Sequence, residues 1–113
     1  MSFVATRTVT VANGASLSGA LDVADYTVVG VITDSAWDTA AITFQASADG
    51  TNFFSLYNAG TEISFAAATA SSYHIIDPAL MLGVRAIKVR SGTKGTPVNQ
   101  VGDAVVTVII KPI

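Results

Sequence analysis

Short runs in which apolar and polar residues alternate, separated by turn-forming residues, dominate this sequence. Residues 6–11 read Thr-Arg-Thr-Val-Thr-Val, and residues 40–46 alternate in the same way. A period of two is typical of strands with one buried face. Asn13-Gly14 and Asp49-Gly50 interrupt the pattern, and both dipeptides favour the left-handed backbone of tight turns. The chain is therefore built from strands, since this spacing leaves no room for a long helix.

The alternating runs predict eight short strands and one helical turn. We expect the helical turn at residues 77–82, where Pro78 takes a first-turn position, and a loop or crossing segment at 16–24. Gly30, inside an apolar run, predicts a bulge or a close packing contact. Such regular short strands predict an all-β fold, an antiparallel β-sandwich with jelly-roll or immunoglobulin-like connectivity. The predicted strands are 6–11, 26–33, 40–46, 53–57, 61–65, 73–76, 84–90 and 103–111.

The chain length predicts a single domain. Its 113 residues suffice for a hydrophobic core without covalent staples, and the sequence has no cysteine to supply disulfides. We therefore expect one β-sandwich domain over residues 1–113, in which residues 1–12 form an extended arm or an edge strand.

Charged residues are unusually few. They make up 12% of the chain, against about 25% in ordinary globular domains. Six basic and eight acidic residues must cover a surface of roughly 5,800 Å² by the usual scaling of area with mass. Burial of part of that surface against other subunits would explain the deficit. A surface made wet by the abundant Ser and Thr is the alternative.

The sign and distribution of charge argue against two classes of partner. The net charge is −2, whereas nucleic-acid binding requires a basic surface. No apolar stretch approaches the roughly 18 residues that span a bilayer, and residues 1–7 lack the pattern of a secretory signal. We therefore expect neither a nucleic-acid nor a membrane partner.

No group of residues indicates catalysis, a metal or a cofactor. His74 is the single histidine, and its place in an alternating run favours a polar strand residue over a general base. The aspartate pairs 22/25 and 34/38 favour solvated turns over a calcium site, since the dense ligand spacing of calcium loops is missing. Ser16-Leu17-Ser18 lacks the second glycine of a hydrolase nucleophile elbow. We predict no enzyme activity and no cofactor.

A few aromatic and basic residues are candidates for a protein interface. Lys88 and Arg90 alternate on one strand face, which is consistent either with protection of a sheet edge or with an acidic partner. The aromatic residues near 37–57 supply core, and any that face solvent mark a binding surface. The candidate interface residues are Phe3, Arg7, Trp37, Phe54, Lys88 and Arg90.

Two stretches carry a resemblance to a known group of proteins. Residues 44–53 read Phe-Gln-Ala-Ser-Ala-Asp-Gly-Thr-Asn-Phe, and residues 76–100 contain Ile-Asp-Pro and Arg-Ala-Ile-Lys-Val-Arg-Ser-Gly-Thr. Both resemble small structural proteins of tailed bacteriophages. The resemblance implies a β-sandwich virion component, such as a capsid decoration (cement) protein or a neck or tail part. The hairpin at 47–53 also resembles hairpins of discoidin-type and carbohydrate-binding sandwiches.

The resemblance favours the hypothesis of a head decoration protein, a homotrimer that binds the major capsid protein on the outside of the shell. Residues 2–12 would form the contact, so their deletion is expected to abolish shell binding and leave the core folded. A glycan-binding module that uses Trp37 and the 53–57 hairpin is the alternative hypothesis.

Overall fold

Two antiparallel β-sheets packed face to face make up the computed structural model, which describes residues 4–113. None of these residues forms a helix long and apolar enough to cross a membrane. The strands are β1 (Ala5–Val11), β2 (Leu21–Asp22), β3 (Tyr26–Thr33), β4 (Ala40–Ser47), β5 (Phe54–Ser55), β6 (Tyr57–Asn58), β7 (Thr61–Glu62), β8 (Phe65–Ala68), β9 (Tyr73–Ile75), β10 (Ala86–Ser91) and β11 (Ala104–Pro112). The predicted all-β sandwich is confirmed.

The first sheet contains four strands in the order β1-β11-β3-β9. Its two longest pairings, β1 with β11 and β11 with β3, are antiparallel, and the first of them joins the first strand of the chain to the last. Strands β1 and β9 lie at the two edges of this sheet.

The second sheet has the order β2-β10-β4-β5, and β8 also pairs with β4. Strands β6 and β7 form a separate small hairpin. The longest pairing here is β10 with β4, which runs from Ala86 opposite Ser47 to Ser91 opposite Ile42. The long strands therefore divide between the sheets: β1, β3 and β11 belong to the first, and β4 and β10 belong to the second.

The hydrophobic core lies between the two sheets. Alternate residues of the four long strands point inward, as the period of two requires. Phe44 from the second sheet is fully buried and meets the ring of Phe65 edge to face, with ring centroids 6.3 Å apart. Aliphatic side chains fill the remainder of the interior, among them Val9, Val11, Val28, Val31, Ile42, Ile87, Val89, Val106, Val108 and Ile110.

Strand β1 is part of this core, and that changes one expectation. Val9 and Val11 are buried, and all seven residues of β1 pair with β11. Deletion of residues 2–12 would remove two core side chains and an entire strand, so the folded core expected from that deletion is not compatible with the structure. Phe3 lies outside the described residues.

Gly30 has both properties that the sequence predicts. The pairing of β3 with β11 shifts register between Ile109 and Ile110, which leaves Val29 as the extra residue of a bulge. A Cβ placed on Gly30 would lie 2.9 Å from Cε1 of Tyr73 and 3.1 Å from the carbonyl oxygen of His74. Glycine at this position therefore lets the Tyr73 ring of β9 lie against the backbone of β3.

Three segments differ from the sequence-based expectation. The strand predicted at 53–57 is split into β5 and β6, and the alanine-rich segment after Phe65 forms β8, where we expected no strand. Alanine has low strand propensity, so β8 depends on its pairing with β4 and on the burial of Ala68. The 16–24 segment holds the short edge strand β2. The helical turn at 77–82 is present as a single 3₁₀ turn, Pro78–Leu80, capped by the Asp77 carboxylate.

Candidate interaction surface

The outer face of the first sheet is the main candidate for a binding surface. The register of the four strands places alternate residues on the side away from the core, in rows such as Thr8, Thr107, Ile32 and Tyr73. We call this surface the neutral face, because none of its ten residues is charged. It consists of Thr6, Thr8, Thr10, Gly30, Ile32, Tyr73, Ile75, Val105, Thr107 and Ile109.

The neutral face combines exposed and shielded apolar side chains. Tyr73 is 57% exposed and Ile75 is 78% exposed, whereas Ile109 is buried without belonging to the main core cluster. Lys111 follows on β11 beyond the bulge, at the end of the sheet. A contiguous patch of this kind, free of charge and partly apolar, is a candidate binding surface.

A cleft of about 260 Å³ borders this face at β9. Its lining includes Ile75 of β9, the adjacent Ile76, residues of the β6–β7 hairpin and Phe65. The carboxylates of Glu62 and Asp77 also line it. Since Ile75 belongs to both, the cleft extends the neutral face around the β9 edge of the sandwich.

The outer face of the second sheet is organised differently, because the chain itself covers it. Arg90 is 6% exposed. Its guanidinium donates to Oε2 of Glu62 at 3.1 Å and to Oγ of Ser55 at 3.1 Å. Glu62 also accepts a hydrogen bond from the backbone N–H of Lys94. Arg90 is therefore an interior residue that fixes the β6–β7 hairpin over the sheet, and its expected exposure at an interface is corrected.

The loop at 92–98 closes the same face from the other side. Thr43 is fully buried, although it points away from the core, and its hydroxyl donates to the carbonyl oxygen of Gly92 at 2.6 Å. Lys88 is half-buried, with its Nζ 4.5 Å from the centroid of the Phe53 ring. Strand β10 lies between β2 and β4, so Lys88 and Arg90 do not protect a sheet edge.

The remaining interface candidates divide between interior and surface. Trp37 is 3% exposed, and its indole N–H donates to the carbonyl oxygen of Ala68 at 3.1 Å, so it is a core residue and not part of an exposed platform. Phe54 is 72% exposed on the edge strand β5. Arg7 is exposed on β1, where its guanidinium donates to the carbonyl oxygen of Thr6 and lies 5.9 Å from the Tyr26 ring centroid.

Sequence reasoning missed Tyr73 and Ile75, the most exposed large side chains of the neutral face. The signal was present in the Tyr-His-Ile alternation of β9, which places residues 73 and 75 on one side and His74 on the other. It could not be used from sequence alone, because either side of a three-residue strand could face the core.

His74 is a polar strand residue on the inner side of β9, as expected. Its ring packs on Phe65 with centroids 5.1 Å apart, and its Nε2 lies 2.8 Å from Oγ of Ser72. The Ser72 hydroxyl donates its proton to the carbonyl oxygen of Thr69 at 2.6 Å. When the Ser72 hydroxyl donates to Thr69, His74 Nε2 is the donor to Ser72, and the two side chains are not arranged as a nucleophile and its base.

The aspartates stabilise turns. Asp34 accepts hydrogen bonds from the backbone N–H groups of Ala36 and Val105, and Asp38 accepts one from Val101. Asp49 accepts from the backbone N–H groups of residues 51 and 52, which lowers the pKa of its carboxyl below the ordinary value. Among residues 4–113 no group of three or more His, Cys, Asp or Glu side chains could hold a metal ion.

Comparison with known proteins identifies the fold. No protein-family model matches the chain, and no curated protein sequence matches it. The SPBc2 prophage-derived protein YomS is 16% identical to it, with a TM-score of 0.57 over 98% of this chain and 96% of that one. At this identity the likeness shows a shared fold. A chain of the cyanophage Pam1 capsid asymmetric unit is 19% identical, covers 99% and 86%, and has a TM-score of 0.38, which carries no argument.

Proposed function

We propose that this chain is a structural protein of a tailed-phage virion that attaches to other virion subunits through the neutral face. The observation that carries the proposal is the neutral face itself, a sheet surface of ten uncharged residues. Five of them are exposed: Thr6, Thr8, Thr10, Tyr73 and Ile75. If the protein assembles into a virion, neighbouring subunits would cover that surface.

The chemistry of the neutral face suits attachment to a large, preformed surface. Burial of a charged group requires a charged or strongly polar partner, whereas aliphatic side chains need none and each threonine hydroxyl needs only a hydrogen-bond partner. Four strands spaced by about 4.8 Å and seven residues of about 3.3 Å each give a projected area of roughly 440 Å². This is about half of one partner's share in a stable interface, so attachment through many copies is favoured over tight binding of one.

The fold and the sequence resemblance support the same class. The chain shares its fold with a protein whose name describes it as prophage-derived. Residues 44–53 and 76–100 resemble small structural proteins of tailed phages. Neither observation identifies the position in the virion, which the following experiment addresses.

Within the virion, we propose a head decoration (cement) protein on the outer surface of the capsid, bound to the major capsid protein as a homo-oligomer. The sequence favoured a trimer. The mechanism is passive: each copy buries its neutral face across a junction between capsomers and thereby resists their separation. A neck or tail position is the outcome that would contradict this finer assignment.

Binding to shells tests the proposal. Capsids of the phage or prophage that encodes the chain, assembled without it, are mixed with the purified protein and sedimented. We expect the protein to co-sediment and to raise the temperature at which the shells dissociate. Ile75→Lys introduces a charge into the neutral face and should abolish binding.

The matched control is Val101→Lys. Val101 is 79% exposed and lies in the loop before β11, so it receives the same charge at the same exposure but outside the neutral face. Equal loss of binding in both variants would contradict the assignment of this face. Failure of the unmodified protein to bind shells, with recovery on purified necks or tails, would replace decoration by one of those positions.

The exposed rings of Phe54 and Tyr57 favour glycan binding as a second candidate function. Trp37 is excluded from such a site by its burial, so stacking would involve the 54–57 segment alone. Binding on a glycan array that disappears in Phe54→Ala would support this function. Absence of binding to every sugar would eliminate it.

A further inference from the structure

The first sheet ends in two edge strands, and its hydrogen-bond pattern shows which groups they present. Antiparallel partners alternate between pairs that exchange two hydrogen bonds and pairs that exchange none. The bonds from Thr33 N–H to the Ser72 carbonyl and from Ile76 N–H to the Val29 carbonyl show that residues 72, 74 and 76 bond to β3. Tyr73 and Ile75 consequently point their backbone groups away from the sheet.

The same alternation can be followed across the sheet to β1. Residues 31 and 33 bond to β9, so residues 30 and 32 bond to their partners on β11, which are 109 and 107. Residues 104, 106, 108 and 110 then bond to β1, where they face residues 11, 9, 7 and 5. The backbone groups of Thr6, Thr8 and Thr10 therefore point outward along the edge.

One contact in the structure agrees with this assignment. The carbonyl oxygen of Thr6 accepts a hydrogen bond from the guanidinium of Arg7, 2.9 Å away. If the Thr6 carbonyl were bonded to β11, its oxygen would point into the sheet. Thr6 instead takes a donor from its own neighbour on the exposed side, which is how an unpaired edge group is satisfied within one chain.

We propose that two copies of this chain join edge to edge through β1, antiparallel and about a two-fold axis at Thr8. The occupant of the β1 edge is thus a second copy of β1. The two four-stranded sheets become one sheet of eight strands, with both neutral faces on the same side. This proposal does not depend on the virion assignment.

The sequence of β1 fits this pairing in three respects. With Thr8 opposite Thr8, residues 6 and 10 lie opposite each other, so every outward-pointing backbone group meets an outward-pointing group of the other copy. Threonines then lie opposite threonines on the neutral face, and such pairs are favourable in sheets. Arg7 lies opposite Val9 of the second copy and is not directly opposed to the other Arg7.

The competing contact, β1 of one copy against β9 of another, is less favoured. Strand β9 has three residues against seven in β1, so it offers fewer hydrogen bonds. The two-fold pairing also doubles the neutral face to a projected area of roughly 900 Å², comparable to the share of one partner in a standard interface. It predicts a dimer, where the sequence favoured a trimer.

A matched pair of variants at Thr8 tests the contact through native mass, measured by light scattering over a dilution series. Thr8→Pro removes the outward N–H and leaves the β1–β11 hydrogen bonds intact, whereas Thr8→Ala removes the same side chain and keeps the N–H. We expect the unmodified chain and Thr8→Ala to show twice the monomer mass of 11.6 kDa. Thr8→Pro should dissociate at concentrations about tenfold or more higher, because two symmetry-related bonds are lost.

Disulfide trapping provides a second measurement that does not depend on the proline variant folding. The chain has no native cysteine, so Thr8→Cys should form a disulfide-linked dimer on mild oxidation, since bonded antiparallel partners have Cα atoms about 5.5 Å apart. Thr51→Cys, exposed in the β4–β5 loop, is the control for random collision.

Several results of these two experiments would overturn the two-fold β1–β1 contact. A mixture of Thr8→Cys and Ile75→Cys that crosslinks only between the two variants would establish the β1–β9 contact. A mass of three chains, a monomer at every concentration, or equal association of Thr8→Pro and Thr8→Ala would also contradict it.

Discussion

The outer faces of the two sheets differ in whether other parts of the same chain cover them. On the second sheet, Thr43 and Arg90 point away from the core and are nevertheless buried, because the 92–98 loop and the β6–β7 hairpin cover them. On the first sheet, Tyr73 and Ile75 point away from the core and remain exposed. Polar groups on the covered face are matched by partners from the same chain. The neutral face has no charged side chain that would need a partner of opposite charge. It is therefore suited to contact with another molecule.

The largest effect on stability is expected at Gly92, where the 92–98 loop begins. Gly92 has φ +89°, and a Cβ on it would lie 2.6 Å from the backbone nitrogen of Val98. Gly92→Ala should therefore lower the free energy of unfolding by about 3 kcal/mol, through backbone strain and overlap together. Chemical denaturation measures this.

Gly95→Ala is the control in the same loop, because a Cβ there would meet nothing within 4 Å. A similar loss of stability in both variants would indicate general sensitivity of the loop, and the cover would not be as specific as the Gly92 contacts imply.

The next largest effect concerns the buried ion pair of the covered face. Glu62→Gln leaves the Arg90 guanidinium, 7% exposed, without its carboxylate and should destabilise the fold by about 2 kcal/mol, since an uncompensated buried charge is costly. Arg90→Met together with Glu62→Leu should regain part of that loss. In a double-mutant cycle of Arg90→Met and Glu62→Leu, additive effects of these two substitutions on stability would show that the pair does not act as a unit.

A smaller effect on stability is expected when the same Thr→Val substitution is made on each of the two outer faces. Thr43→Val removes a buried hydroxyl that donates to the Gly92 carbonyl and should cost about 1 kcal/mol. Thr107→Val makes the same change on the neutral face, where the described residues give that hydroxyl no hydrogen-bond partner, and should leave the stability of the isolated chain within about 0.5 kcal/mol. Equal costs in thermal unfolding would remove the contrast between covered and uncovered faces.

The smallest effect depends on pH and is confined to the β4–β5 loop. Backbone N–H groups of Asn52 and Thr51 hold the pKa of Asp49 below its ordinary value of 3.8. A lowered pKa in the folded state means that the ionised carboxylate stabilises the fold above pH 3.8 and loses this effect as the pH falls further. Asp49→Asn should therefore be less stable than the unmodified chain at neutral pH, and the gap should narrow below about pH 4. A gap that is constant from pH 7 to pH 2 would contradict the assignment.

Part of the candidate surface could be predicted from sequence. The alternation in residues 6–11 correctly divides β1 into buried valines and outward threonines. The low charge content correctly indicated a surface with few charges to offer. Tyr73 and Ile75 were missed because a three-residue strand has too short a period to show which side is buried.

Two interface candidates show why local pattern was insufficient. Trp37 lies in a predicted turn and was a candidate interface residue, but its indole N–H donates to the carbonyl oxygen of Ala68, 31 residues away. Arg90 alternates as an outward strand residue should, yet its partner Glu62 is 28 residues away. No feature near either residue indicates that a distant segment covers it.

The sequence by itself determined the long strands, their turns and the sharing of faces within those strands, because a period of two and a glycine turn are properties of neighbouring residues. The tertiary structure decided the order of the strands and which outer face is covered. That decision rests on contacts between distant residues, such as Thr43 with Gly92, 49 positions apart. Burial of a strand's second face depends on what packs over it, and only the folded chain brings those segments together.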